Sequence, residues 1–136
     1  MQVRSNIRAV NTTKDTAVNK WITFAGVMLL IGGTLNVIES IAMLANDNRF
    51  DSAELLFANL TAWGVIHLIV GGLQFLAAGL LFQRRAGGVV LAITIASISG
   101  IAHFMTIGVY PLWSVTVMAI NFAIIFGLLS NDDAFG

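Results

Sequence analysis

The chain has no cysteine, a single proline and a single tyrosine in 136 residues. Without thiols it has no disulfides, thiolate metal sites, cysteine nucleophiles or lipidated cysteines, and its cysteine usage says nothing about redox compartment. Any chemistry has to use oxygen and nitrogen groups. Charge is also scarce: charged residues make up 10% of the chain, against about 25% in soluble domains. That is too little polar surface to coat a water-soluble globule. Nor is there an excess of one sign, since seven Lys and Arg balance seven Asp and Glu. A nucleic-acid partner is therefore not expected, because such proteins need surplus positive charge to displace condensed counterions. What is abundant is apolar: 57% of residues are hydrophobic, which places the chain among membrane proteins.

The hydrophobic residues gather into four runs, about 21–45, 61–83, 86–108 and 111–130. As helices these would be about 30 to 37 Å long at 1.5 Å per residue, enough to cross a hydrocarbon core of about 30 Å with some tilt. The first twenty residues are polar and basic, and the run that follows is much longer than a signal-peptide core and lacks a small-residue cleavage pattern. The first span is thus expected to be an uncleaved anchor. Short connections force successive helices to pack as antiparallel neighbours. The expected fold is all-α, a polytopic four-helix up-and-down bundle forming one domain over 21–130, with a polar N-terminal segment, 1–20, and an acidic tail, 131–136.

Orientation follows from the basic residues. Arg4, Arg8, Lys14, Lys20, Arg84 and Arg85 would share one side and Arg49 alone the other, so both termini are expected in the cytoplasm. Trp63, Tyr110 and Trp113 then fall at the outer interface and Trp21 at the inner one, where amphipathic rings prefer to sit. The expected location is the plasma membrane. In the outer loop, Asp51 or Ser52 would cap a short interfacial helix carrying Leu55, Leu56 and Phe57. Its acids, Asp47, Asp51 and Glu54, match no calcium-loop spacing.

Three ionisable groups interrupt the apolar runs: Glu39, His67 and His103. Such groups inside a bilayer are costly and are read as functional candidates. Helical spacing sets their direction. Gly32, Asn36, Glu39 and Met43 form one stripe, and Gly64, His67, Gly71, Gln74 and Ala78 form another. On the third span Gly88, Ala92, Ala96 and Gly100 make a small-residue ridge that His103 continues. Ser114 and Asn121 share a side of the fourth. Polar residues share faces with small ones, so they are expected to point into the bundle. Glu39 lies six residues from the end of its span, His67 six from the start of its own and His103 five from its end. All three therefore sit about 8 to 9 Å below the outer boundary, as one layer. Asn36, Ser97, Ser99 and Asn121 lie deeper and extend it.

Three functional readings compete with a purely structural one, in which the same groups only tie helix to helix. Glu39, His67 and His103 have the donor chemistry for a divalent metal, although the histidines lack a local H-x-x-x-H spacing. They, with Asn36 and Asn121, could hold a quinone-like ligand and exchange protons with it, since histidine titrates near neutral pH. Alternatively, Glu39 serves proton- or cation-coupled transport. Ser40, Ser97, Ser99 and Ser114 have no G-x-S-x-G context, the Gly-Gly pairs are not phosphate loops, and no catalytic residue is assigned.

The strings WITFAGVMLLIGGTLNVIESIA from Trp21, WGVIHLIVGGLQ from Trp63 and YPLWS from Tyr110 resemble an uncharacterised actinobacterial family of small four-helix membrane proteins over about Trp21 to Leu129. The resemblance implies a fold and no activity. Arg84 to Gly88 lacks a tryptophan often found there, and His103 stands where the family pattern has an amide. More loosely, the chain is similar to DoxX-like four-helix proteins, some linked to quinone-related oxidation. The small multidrug exporters also carry a glutamate on the first of four helices, but their dual topology needs balanced Lys and Arg, unlike the bias here. The resulting expectation is a non-enzymatic accessory or structural component in contact with membrane lipid, with a membrane-protein partner or as a homo-oligomer. The alternatives are a small-ligand, quinone-type redox or metal-binding protein, and a small transporter.

Overall fold

The computed structural model describes residues 2–45, 60–105, 107–108, 111–131 and 135. It contains four α-helices and, among the described residues, no strand: α1 (Gln2–Ala45), α2 (Leu60–Phe82), α3 (Ala86–Met105) and α4 (Pro111–Leu129). All four are long and apolar enough to cross a membrane. The expected interfacial helix at Asp51 or Ser52, its neighbouring acids, Tyr110 and tail residues 132–134 and 136 lie outside the described residues.

The polar segment 1–20 is helical from Gln2 onward and runs directly into the first span, so α1 is 44 residues without a break. No proline or glycine occurs before Gly26 to stop it, and the span behind it supplies the nucleus that an isolated polar helix lacks. At its other end α3 stops at Met105, three residues short of the expected Gly108, and Ile107 and Gly108 form a turn. Pro111 opens α4, where a missing N–H costs nothing.

The helices pack in a ring. α1 on α2 is the most extensive contact, followed by α3 on α4 and α2 on α3, with α1 on α4 the smallest of the four. Gly26 faces Phe82, Gly33 faces Gly71, and Gly64 faces Leu44, so α1 and α2 run antiparallel. At Gly33 and Gly71 the backbones nearly touch, since a Cβ on Gly71 would lie 2.9 Å from the Gly33 carbonyl oxygen. Gly88 is equally tight: a Cβ there would meet the Leu80–Leu81 backbone at 2.7 Å. The expected small-residue ridge is thus used inside the chain, with Gly88, Ala92 and Ala96 buried, whereas the Cβ position of Gly100 is open.

The α2–α3 connection is built around Arg84, whose φ of 55° is left-handed. The Arg84 N–H donates to the Leu81 carbonyl and the Arg85 N–H to the Leu80 carbonyl, the two bonds that satisfy a helix C-terminus in a Schellman turn. The Arg84 guanidinium also donates to the Asn19 side-chain oxygen, tying the turn to α1.

Burial divides the bundle in two. The apolar core, including Val18, Ile22, Ala25, Leu29, Ala77, Ala78, Leu81, Val89, Ala92, Ile95, Ala96, Ile124 and Leu128, lies entirely at the end that carries the α2–α3 turn. Trp21 closes that core edge-on against Phe24 and Phe126, over Gly127. Of the buried polar side chains, Ser40 and Ser114 lie toward the end where α1 stops and α2 starts, while Gln74 and Asn121 lie near the middle of the bundle. Outward, the helices present Ile38, Ile41, Ile69, Val90, Ile98, Ile101, Phe122 and Phe126, all exposed. An apolar exterior around polar ties between helices is the arrangement a lipid solvent favours.

Candidate functional site

Glu39 and His67 meet across the α1–α2 seam. His67 Nε2 lies 3.5 Å from Glu39 Oε2, an ion-pair distance, and the two side chains are 24% and 51% exposed respectively. The antiparallel register makes them neighbours: Gly64 against Leu44 on one side and Gly71 against Gly33 on the other bracket the pair. His67 is held from behind, because its Nδ1 lies 2.8 Å from the Trp63 carbonyl oxygen one turn earlier. The Trp63 ring tilts against the imidazole with centroids 6.1 Å apart.

A second tie lies one helical turn deeper. Asn36 Nδ2 donates to Gln74 Oε1 at 2.7 Å and to the Gly32 carbonyl at 3.0 Å. Absence of a side chain at Gly32 leaves room for this amide pair: a Cβ there would lie 2.9 Å from Gln74 Nε2. On the other side of the bundle, Asn121 Nδ2 on α4 donates to Ser99 Oγ on α3 at 2.9 Å. Ser97, by contrast, turns its hydroxyl to the Ile93 carbonyl on its own helix and extends no chain.

His103 directs Nδ1 to the Ser99 carbonyl at 2.8 Å, the same back-bonded posture as His67. Among the described residues no three His, Asp or Glu side chains converge as a metal-ligand set. The structure therefore brings together Glu39 with His67 and separately Asn36 with Gln74 and Asn121 with Ser99. Ser99 belonged to the expected inward extension of the layer, whereas Gln74 and the Trp63 carbonyl are partners that the candidate set lacked. Gln74 was visible as a member of its stripe, but a stripe gives direction and not the register that pairs it with Asn36. Two polar atoms at this end remain unsatisfied: the hydroxyl of fully buried Ser40 and Trp63 Nε1 find no hydrogen-bond partner among the described residues. Two open surface depressions, of about 660 and 460 Å³, lie along Arg4–Thr13 and Thr16–Phe24 on the N-terminal half of α1.

Four apolar helices in a ring, cross-tied by a carboxylate–imidazole pair and two hydrogen bonds donated by asparagine side chains, define a small helical membrane protein. The chain belongs to the family of the DUF7144 domain, a domain of unknown function, whose model matches residues 21–133. No curated protein and no solved structure matches the chain.

Proposed function

We propose that the protein is a non-enzymatic, multi-pass component of the plasma membrane, with both termini cytoplasmic, that serves as an accessory or structural subunit of a membrane assembly. The observation that carries this reading is the exposed apolar stripe on the N-terminal part of α1. Residues 2–17 are exposed on every side, and Val3, Ile7 and Val10 sit along one stripe at 70, 56 and 67% exposure. In a chain oriented by its Lys and Arg bias this rod projects about 28 Å from Trp21 into the cytoplasm. A stripe of three β-branched apolar side chains on an otherwise polar helix is a surface that gains from being covered by a membrane-protein partner or a second copy. The polar ties lie in the seams between helices and hold the spans in register, as an accessory subunit requires.

The test is native mass spectrometry and cross-linking of the full chain purified in mild detergent. A stoichiometric partner or oligomer is expected, reduced at least tenfold by Ile7→Asp and Val10→Asp. A monomer in both detergent and native membranes sinks the reading. A second reading rests on Glu39 and His67, a paired carboxylate and imidazole half-open to the surroundings. It makes the protein a binder of a quinone-like ligand, a view that the looser likeness to DoxX-like proteins supports by analogy, or of a metal or coupled proton. A quinone retained through purification, or a metal found by elemental analysis, and lost in Glu39→Gln with the fold intact, would favour it.

A further inference from the structure

We infer that Glu39 and His67 together form a proton-binding site that holds one proton between the two side chains. A backbone carbonyl only accepts, so the 2.8 Å contact between His67 Nδ1 and the Trp63 oxygen places a hydrogen on Nδ1. In a neutral imidazole that leaves Nε2 as a bare lone pair. Yet Nε2 is the atom that faces Glu39 Oε2 at 3.5 Å, and an ionised carboxylate is also only an acceptor. Lone pair against carboxylate is repulsive, and the geometry becomes favourable when a proton lies on one of the two atoms. Imidazolium with carboxylate and imidazole with carboxylic acid both satisfy it, and both leave the pair with no net charge.

The surroundings require the same neutrality. α2 carries no ionisable side chain besides His67, α4 carries none, and α3 carries only His103, which is turned to Ser99. On α1 the remaining ionisable groups, Arg4, Arg8, Lys14, Asp15 and Lys20, all precede the span. Lys20, the nearest of these, is about 28 Å away along the helix, and Asp47 and Arg49, nearer in sequence, lie outside the described residues. Arg84 and Arg85 belong to the turn at the opposite end. With no countercharge on the packed helices among the described residues, a lone carboxylate in this largely apolar setting is costly, and one bound proton removes that cost. The fixed Nδ1–H also gives the site a direction, since every exchange of the proton must pass through Nε2 and the half-exposed Glu39 carboxyl.

The experiment is nitrogen NMR of the full-length chain, histidine-labelled and reconstituted in lipid at neutral pH, combined with infrared detection of carboxylic acid. His103→Asn assigns the two imidazoles. Either a doubly protonated His67 with ionised Glu39, or an Nδ1–H imidazole with a protonated Glu39, is the expected result. In Glu39→Gln one bound proton is lost and His67 becomes the neutral Nδ1–H tautomer, its Nε2 accepting from the amide. A wild-type His67 with bare Nε2 beside an ionised Glu39 overturns the inference, as does a pair carrying two protons, or a His67 that stays doubly protonated in Glu39→Gln. The wild-type spectrum decides the matter even where a substitution fails to fold.

Discussion

At the scale of single residues, neighbouring glycines in this chain have opposite roles. Gly71 and Gly72 are adjacent, yet a Cβ on Gly71 would lie 2.9 Å from the Gly33 carbonyl oxygen and 3.0 Å from Val37, whereas one on Gly72 would meet nothing within 4 Å. The obstacle at Gly71 is backbone, which cannot swing aside as a side-chain tip does. Gly71→Ala therefore has to separate α1 from α2, and overpacking of this kind costs about 1 to 3 kcal/mol. The separation would also stretch the Asn36–Gln74 and Glu39–His67 ties. Gly72→Ala meets no obstacle and gains about 0.5 to 1 kcal/mol from restricting the unfolded backbone. Thermal unfolding of the two variants in the same detergent should show opposite shifts, with Gly71→Ala lowered. Equal shifts would mean that the close approach at Gly33 and Gly71 is not what seats α2 on α1.

At the scale of elements, the α2–α3 turn shows how a non-glycine residue is kept in a glycine position. Arg84 has a φ of 55°, a conformation that costs an L-residue about 1 to 2 kcal/mol. Its guanidinium, however, reaches Asn19 on α1. Arg84→Gly removes strain and contact together, so its unfolding midpoint should stay close to wild type. Arg84→Val loses the contact and adds β-branched crowding at positive φ, and should be less stable than Arg84→Gly by about 1 to 2 kcal/mol. Similar midpoints for the glycine and valine variants would show that the turn relaxes out of the left-handed region. The turn itself was anticipated from its short, basic sequence, but the arginine's conformation was not, because nothing in a residue string states which side of the φ axis a turn requires. The N-terminal half of α1 was illegible for a related reason. Its apolar stripe is only Val3, Ile7 and Val10 on an otherwise polar segment, too little to hold an isolated helix, so its helical state is imposed by continuity with the span. The Glu39–His67 pair could be anticipated because depth and stripe direction follow from counting, whereas the Asn36–Gln74 pair depends on interhelical register, which is set by the glycine contacts.

At the scale of the whole molecule, the two ends of the bundle should differ in stability. At the turn end, Val18, Leu29, Ala77, Leu81, Ala92, Ala96, Ile124 and Leu128 are almost completely buried against one another, and Trp21 caps them. At the other end the helices are joined by a few polar ties, Ser40 and Trp63 each leave a buried polar atom unsatisfied among the described residues, and Glu39 is half exposed. Cross-helix hydrogen bonds in membranes average only about 0.6 kcal/mol by double-mutant cycles, while each unsatisfied buried polar group costs about 1 to 3 kcal/mol. Local opening is therefore expected to begin where α1 stops and α2 starts and to leave the turn end closed. Hydrogen–deuterium exchange of the full chain in lipid nanodiscs should find the amides of 36–44 and 61–67 exchanging faster than those of 22–29 and 77–81, although both sets lie within spans. Because 36–44 and 22–29 belong to the same helix, lipid shielding of α1 as a whole does not produce the contrast. Replacing the carboxyl by Glu39→Gln, which keeps an amide donor toward His67, should leave that gradient in place. Removing one partner by His67→Ala strands the carboxyl and should steepen it. Uniform exchange along α1 would contradict the division of the bundle into an apolar, tightly packed end and a polar, more readily opened one.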